Sequence, residues 1–133
     1  MREAIVDVAD RLFAAIEQGD AAAVDRMWGA DIAVWRAGAR RNPARADDKA
    51  RALRVIHWFL TATTARRYEI LDRQLFENDQ VSGFVQQHIL HATGHAGQSI
   101  SMRVCIVIRV SADGLITRID EYFDPADIAP LLG

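Results

Sequence analysis

Ile5, Val8, Leu12 and Ile16 recur at helical spacing, with Phe13 beside them and Asp, Arg, Glu and Gln on the opposite side. That pattern predicts an amphipathic first helix. Gly19 supplies a C-terminal stop and Asp20 a cap for the next helix. The second helix is short, with Val24, Met27 and Trp28 as its apolar edge before Gly29-Ala30-Asp31 interrupts it. Residues 32–35, Ile-Ala-Val-Trp, read as a brief strand. The polar, basic stretch that follows holds Pro43 and reads as a loop running into a third helix, started by Asn42-Pro43 or by Asp47-Asp48. That helix continues to about Leu60, with Leu53, Ile56, His57 and Leu60 on one stripe and Ala52, Val55 and Phe59 beside it.

After residues 61–67 the apolar period changes from about 3.6 to 2. Residues 67–77, 80–93, 99–111 and 115–123 are strand candidates, joined by short turn-rich segments at 77–79, 94–97 and 111–114. Asp124, Pro125 and Asp127 have the order of an N-cap, N1 and N3, which closes the chain with a short helix. The expected class is α+β: three N-terminal helices packed on one face of a curved, mostly antiparallel sheet, in a single domain over 1–133. No internal repeat or second domain boundary is visible.

Composition narrows the function classes. Half of the 133 residues are apolar, about a quarter (26%) are charged and the net charge is −2, so no global basic field recommends nucleic acid or an anionic membrane as partner. No apolar run reaches the roughly 18 residues of a membrane span. The N-terminus has acids early and no short apolar signal core, which speaks against export. Cys105 is the sole cysteine and fits a reducing cytosol, so a cytoplasmic location is expected. A Gly-rich phosphate loop and a G-x-S-x-G elbow are both missing, which leaves nucleotide binding and serine hydrolysis without support.

Two carboxylates, Asp120 and Glu121, stand in the last strand, and alternation lets only one of them face the interior. Ile119, Glu121 and Phe123 share one face; Arg118, Asp120 and Tyr122 share the other. The apolar pair Ile119 and Phe123 selects the first set as inward and carries Glu121 with it. A carboxyl held against Ile, Phe and Trp has its charged form disfavoured, as a general acid or base near neutral pH requires. The competing expectation is that Glu121 pairs with a nearby arginine and has a structural role.

His88, His91 and His95 have a metal-like spacing, but His88 and His91 fall on opposite strand faces and His95 in a turn, so no metal site is expected. His57 on the third helix is either a hydrogen-bonded core residue or a ligand contact. Trp35 and Arg36 end the first strand; Arg36 either binds a carboxylate or enolate oxygen or lies in solvent. In residues 99–111, Arg103, Cys105 and Val107 share one face, while Met102, Val104, Ile106 and Ile108 share the more apolar other.

The order of elements, with residues 15–35 (AIEQGDAAAVDRMWGADIAVW) and 107–132 (VIRVSADGLITRIDEYFDPADIAPLL), resembles the nuclear transport factor 2-like superfamily. Within it, the chain resembles the SnoaL-like polyketide cyclases and ketosteroid isomerase relatives. The resemblance implies a cone whose helices and bent sheet enclose a mostly apolar pocket, cofactor-free chemistry, a small hydrophobic ligand and a homodimer through the sheet. It also implies an acidic catalytic residue at Glu121, by likeness to the limonene epoxide hydrolases, and a pocket lined by Arg103 and Cys105, with Arg103 as the partner of Glu121. The chain departs from those relatives at three places. Their Arg-x-Asp pair is here His88-Ile89-Leu90, Arg36 stands where ketosteroid isomerases have the proton-abstracting Asp, and Cys105–Ile106 where they have the second acid.

The expected protein therefore binds a small oxygenated hydrophobic molecule, and, if an enzyme, works by acid–base isomerisation, cyclisation or dehydration. Glu121 and His88 are then the acid–base pair, with Arg103, His57, Trp35, Arg36, Cys105, Ile119 and Phe123 as ligand contacts. The alternatives are a non-catalytic binding or dimerisation module and an epoxide hydrolase-like protein with an incomplete site.

Overall fold

The computed structural model describes residues 1–38 and 42–132. Helix α1 (Arg2–Glu17) buries Ile5, Val8, Ala9, Leu12, Phe13 and Ile16. It is followed by Gly19 at φ +74°, a backbone angle that suits a residue without a Cβ. The Asp20 carboxylate then accepts from the Ala23 N–H at 3.0 Å and starts α2 (Ala21–Met27).

Strand β1 runs over Trp28–Arg36, longer than the four residues expected. Trp28 leaves the helix in an extended conformation and pairs with Ile116 of the last strand, so Gly29-Ala30-Asp31 belong to the strand, across a register shift between Trp28 and Ala33. The Trp28 side chain is buried, 3% exposed. Helix α3 (Lys49–Ala62) takes the later of its two candidate starts: Asp48 caps it by accepting from Arg51 N–H at 2.9 Å. The Asn42-Pro43 start is overturned.

Strands β2 (Thr63–Glu77), β3 (Ser82–Gly94), β4 (Ser99–Val110) and β5 (Ile116–Tyr122) follow. The sheet order is β1-β5-β4-β3-β2, with β1 parallel to β5 and the other pairs antiparallel. Strand β2 begins four residues before the expected start because Thr63 already pairs with Gly94. Its polar start is held by Arg66, which donates to the carbonyls of Ile16 (2.9 Å) and Thr63 (3.1 Å) and to Thr63 Oγ1. Register shifts in β2 between Thr63 and Ala65 and between Ile70 and Asp72 mark bulges, which bend a sheet. The sheet is curved and unclosed, with α1 packed on β2 and β3 and α3 on β1 and β2.

The core lies between α1 and the inner sheet face, where Phe84, Leu90, Met102, Val104, Ile106, Ile108 and Ile119 are buried. A 3₁₀ turn over Pro125–Leu131, capped by Asp124 through the Ala126 N–H at 3.0 Å, closes the chain. Among the described residues no helix is long and apolar enough to cross a membrane.

Candidate active site

Side chains of α1, α3, the inner sheet face and the C-terminal turn enclose a cavity of about 120 Å³. Its wall is mostly apolar: Leu12, Phe13 and Ile16 from α1, Ile56 and Phe59 from α3, and Leu90, Met102, Ile106, Ile119 and Phe123 from the sheet side. Val55 and Trp58, both more than a third exposed, line it from the solvent side of α3 and mark where it opens. Among the described residues charge enters the wall through Arg36 and Glu121 alone, and Tyr68 adds a hydroxyl.

The pleat places Glu121 inward with Ile119 and Phe123, as the alternation predicts. Arg36 stands directly opposite it in the β1–β5 register, and Arg36 Nε lies 3.3 Å from Glu121 Oε1. Both side chains are largely buried, at 13% and 22% of their surface exposed. Two effects act on the carboxyl. Burial raises its pKa above the ordinary 4.5, and the charge and hydrogen bond of Arg36 lower it. Burial dominates, so Glu121 binds a proton more tightly than an exposed glutamate.

Tyr68 is close enough to feel the charges of both Glu121 and Arg36. Burial and the neighbouring carboxylates push its phenol far above its ordinary value of 10.0, so it stays a neutral O–H donor. Its backbone is fixed by Glu17, whose Oε2 accepts from Tyr68 N–H at 2.9 Å. The indole N–H of Trp28, another wall residue, has no hydrogen-bond partner among the described residues. Neither residue stood out in the sequence. Tyr68 lies in a polar strand start, and Trp28 continues the apolar edge of a helix.

The remaining expected site residues divide. Arg36 is in the wall and not in solvent. Arg103 and Cys105 lie on the outer sheet face, since Met102, Val104 and Ile106 fill the inner one; Arg103 donates to Gln87 at 2.9 Å instead of meeting Glu121. Trp35 also points outward, where its ring packs at a tilt against Tyr122, 4.9 Å between centroids, and its Nε1 donates to the Pro43 carbonyl. His57 is exposed and absent from the wall, because the buried stripe of α3 is Ala52, Ile56 and Phe59, one position round from the expected one. His91 contacts Glu69 and Ser101 on the outer face, and His95 reaches the Thr61 carbonyl, so the three spaced histidines do not converge.

His88 faces inward but stands behind the wall, packed against Phe13 and Tyr68 and not beside Glu121. Burial and the charge of Arg73 lower its pKa from 6.5 to about 4, so it is neutral at physiological pH. The unfolded chain takes up this proton below pH 6.5 and the folded chain only near 4. Folding is therefore weakened as pH falls through that window, by about 3 kcal/mol. Urea unfolding at pH 7 and pH 4.5 should show this loss in the wild type. In His88→Gln the loss should be smaller by about that amount; an equal loss in both proteins would place the acid sensitivity elsewhere.

A family model for the SnoaL-like domain matches residues 9–119. The chain belongs to the SnoaL-like domain family. Solved structures of the same fold include PrhC from Penicillium brasilianum, at 16% identity and a TM-score of 0.79, with 98% of this chain and 87% of that one covered. Another is IdmH of Streptomyces antibioticus, described as a candidate polyketide cyclase, at 17% identity and 0.72, with 96% and 97% covered. A third is an LEH-like epoxide hydrolase of M. tuberculosis, at 20% and 0.70, with 98% and 90% covered. No curated protein sequence matches. At these identities the likeness establishes the nuclear transport factor 2-like fold, and the chemistry of this SnoaL-like domain has to be argued from its own cavity.

Proposed function

We propose that this SnoaL-like domain binds a small, hydrophobic, oxygenated molecule in its cavity and moves a proton next to the ligand's carbonyl, without a cofactor. The observation that carries this reading is Glu121: a carboxyl in an otherwise apolar wall, its pKa raised by burial, beside a neutral phenol. In the step proposed, the Glu121 carboxylate takes a proton from the carbon beside the carbonyl, and the electron pair moves onto the carbonyl oxygen. Tyr68 stabilises that oxygen by donating a hydrogen bond, and Glu121 returns the proton to the same or a conjugated carbon. Isomerisation, aldol-type cyclisation and dehydration all begin this way. A volume of about 120 Å³ is close to the roughly 150 Å³ of an apolar cavity that holds benzene, so a ligand with a single ring fits best.

The direct test is deuterium incorporation into 2-cyclohexen-1-one in heavy water. Wild-type protein should accelerate it above the buffer rate, and a rate equal to buffer contradicts the reading. A non-catalytic binder is favoured by one observation, the 3.3 Å ion pair that Glu121 makes inside the cavity. Ring-ketone binding without exchange would decide for it. We further propose that two copies pair through the outer sheet face, where Tyr122 is half exposed beside Trp35.

A further inference from the structure

Behind the cavity wall a chain of polar side chains crosses the core. Arg73 Nη1 donates to Asp10 Oδ1 on α1 at 2.8 Å, and Arg73 Nε donates to Gln86 Oε1 at 2.8 Å. Gln86 Nε2 in turn lies 2.8 Å from His88 Nδ1. Gln86 is fully buried and His88 is 1% exposed.

The direction of these bonds follows from what each group is able to do. A guanidinium only donates, so Gln86 turns its oxygen to Arg73 and is left with its NH₂ facing His88. The NH₂ also only donates, so His88 Nδ1 accepts. A neutral imidazole that accepts at Nδ1 carries its proton on Nε2. Turning the amide over would set two donors against each other at Arg73, inside a core where an unmade hydrogen bond is costly. The Nε2–H leaves the ring on the side away from Gln86. It is buried and has no hydrogen-bond partner among the described residues. The rings packed against His88 are Phe13 and Tyr68, at 5.5 and 4.9 Å between centroids, and both line the cavity.

We propose that Arg73 is a positioning residue: through the Gln86 amide it holds His88 neutral with its proton on Nε2, as a fixed donor directly behind the Phe13–Tyr68 wall. Burial and the Arg73 charge, which both oppose protonation of the ring, act in the same direction. His88 does not line the cavity, so its tautomer stands independently of the proposed function. His88 thus supplies an N–H and not the acid–base partner of Glu121.

Two-bond proton–nitrogen spectra of the ¹⁵N-labelled full chain at pH 7 read the tautomer directly, with His88 assigned by its loss in His88→Gln. The wild type should show a proton on Nε2 and a bare Nδ1. Gln86→Glu places a carboxylate against Nδ1 and should move the proton to Nδ1. Arg73→Met frees the amide to turn and should give a mixture of tautomers, while Arg73→Lys should restore the single Nε2–H form. An Arg73 that only braces the fold would leave the tautomer unmoved. A wild-type His88 protonated on Nδ1 overturns the proposal, as does a tautomer unchanged in a folded Arg73→Met. Should Arg73→Met fail to fold, Gln86→Glu, which keeps the Arg73 contact, decides. A protein with the expected tautomer and no proton-exchange activity loses the proposed function and keeps this inference.

Discussion

Glu121→Gln should reduce the exchange of ring-ketone protons by about 10²–10⁴-fold, the usual worth of a positioned general base. The substitution keeps the shape of the side chain and an oxygen that can accept from Arg36, so the cavity wall survives. What it removes is the one carboxylate that lines the cavity among the described residues. Ligand affinity should change much less than the rate, because the apolar wall contributes most of the contact area. Stability should fall at neutral pH, because a neutral amide replaces the charge that faces the buried Arg36 guanidinium. Exchange kinetics beside a urea titration check both parts. Undiminished exchange in a folded Glu121→Gln protein would remove Glu121 from the chemistry.

Arg36→Met should have an effect that grows or shrinks with pH in opposite directions for rate and stability. Arg36 is what lowers the Glu121 pKa against the effect of burial. Without it burial acts alone, the carboxyl holds its proton to higher pH, and the acid limb of the rate profile moves upward. Exchange should fall relative to wild type most at low pH, and the deficit should shrink as pH rises. For stability the sign is the reverse. A carboxyl whose folded pKa is raised contributes stability that is complete at low pH and is lost as pH rises through that value. The variant should therefore resemble wild type near pH 4.5 and lose up to about 3–5 kcal/mol at pH 8, where the carboxylate is buried without its partner. A loss of rate or stability that is flat with pH would mean that Arg36 does not act through the charge of Glu121.

The sequence revealed the fold to a large extent because the fold depends on local periodicity. The α1 stripe and the Asp20, Asp48 and Asp124 caps are all short-range signals that the structure bears out, Asp48 as one of two starts read for α3; the change to alternation is another, although β2 begins four residues before it. Glu121 was legible for the same reason, since Ile119 and Phe123 fix the pleat of β5. What failed depends on which layer covers which face. In β4 the more apolar set Met102, Val104 and Ile106 is the buried one, with Met102 and Ile106 lining the cavity, but resemblance to relatives suggested the opposite phase and put Arg103 in place of Arg36. His57 was misplaced by one step round α3, about 100° of helix, which is enough to turn a wall residue into an exposed one. Tyr68 had no signal at all. It comes into the cavity through the sheet bend and a hydrogen bond from its backbone to Glu17, 51 residues away.

Carbon-detected titration of the glutamate carboxyls, with Glu121 assigned by its absence in Glu121→Gln, reads the proton affinity on which the account depends. A Glu121 resonance titrating above 4.5, and higher still in Arg36→Met, is the expected result. A resonance titrating at or below 4.5 would contradict it: Arg36 would then outweigh burial, and the carboxylate would be a structural ion-pair partner and not a base.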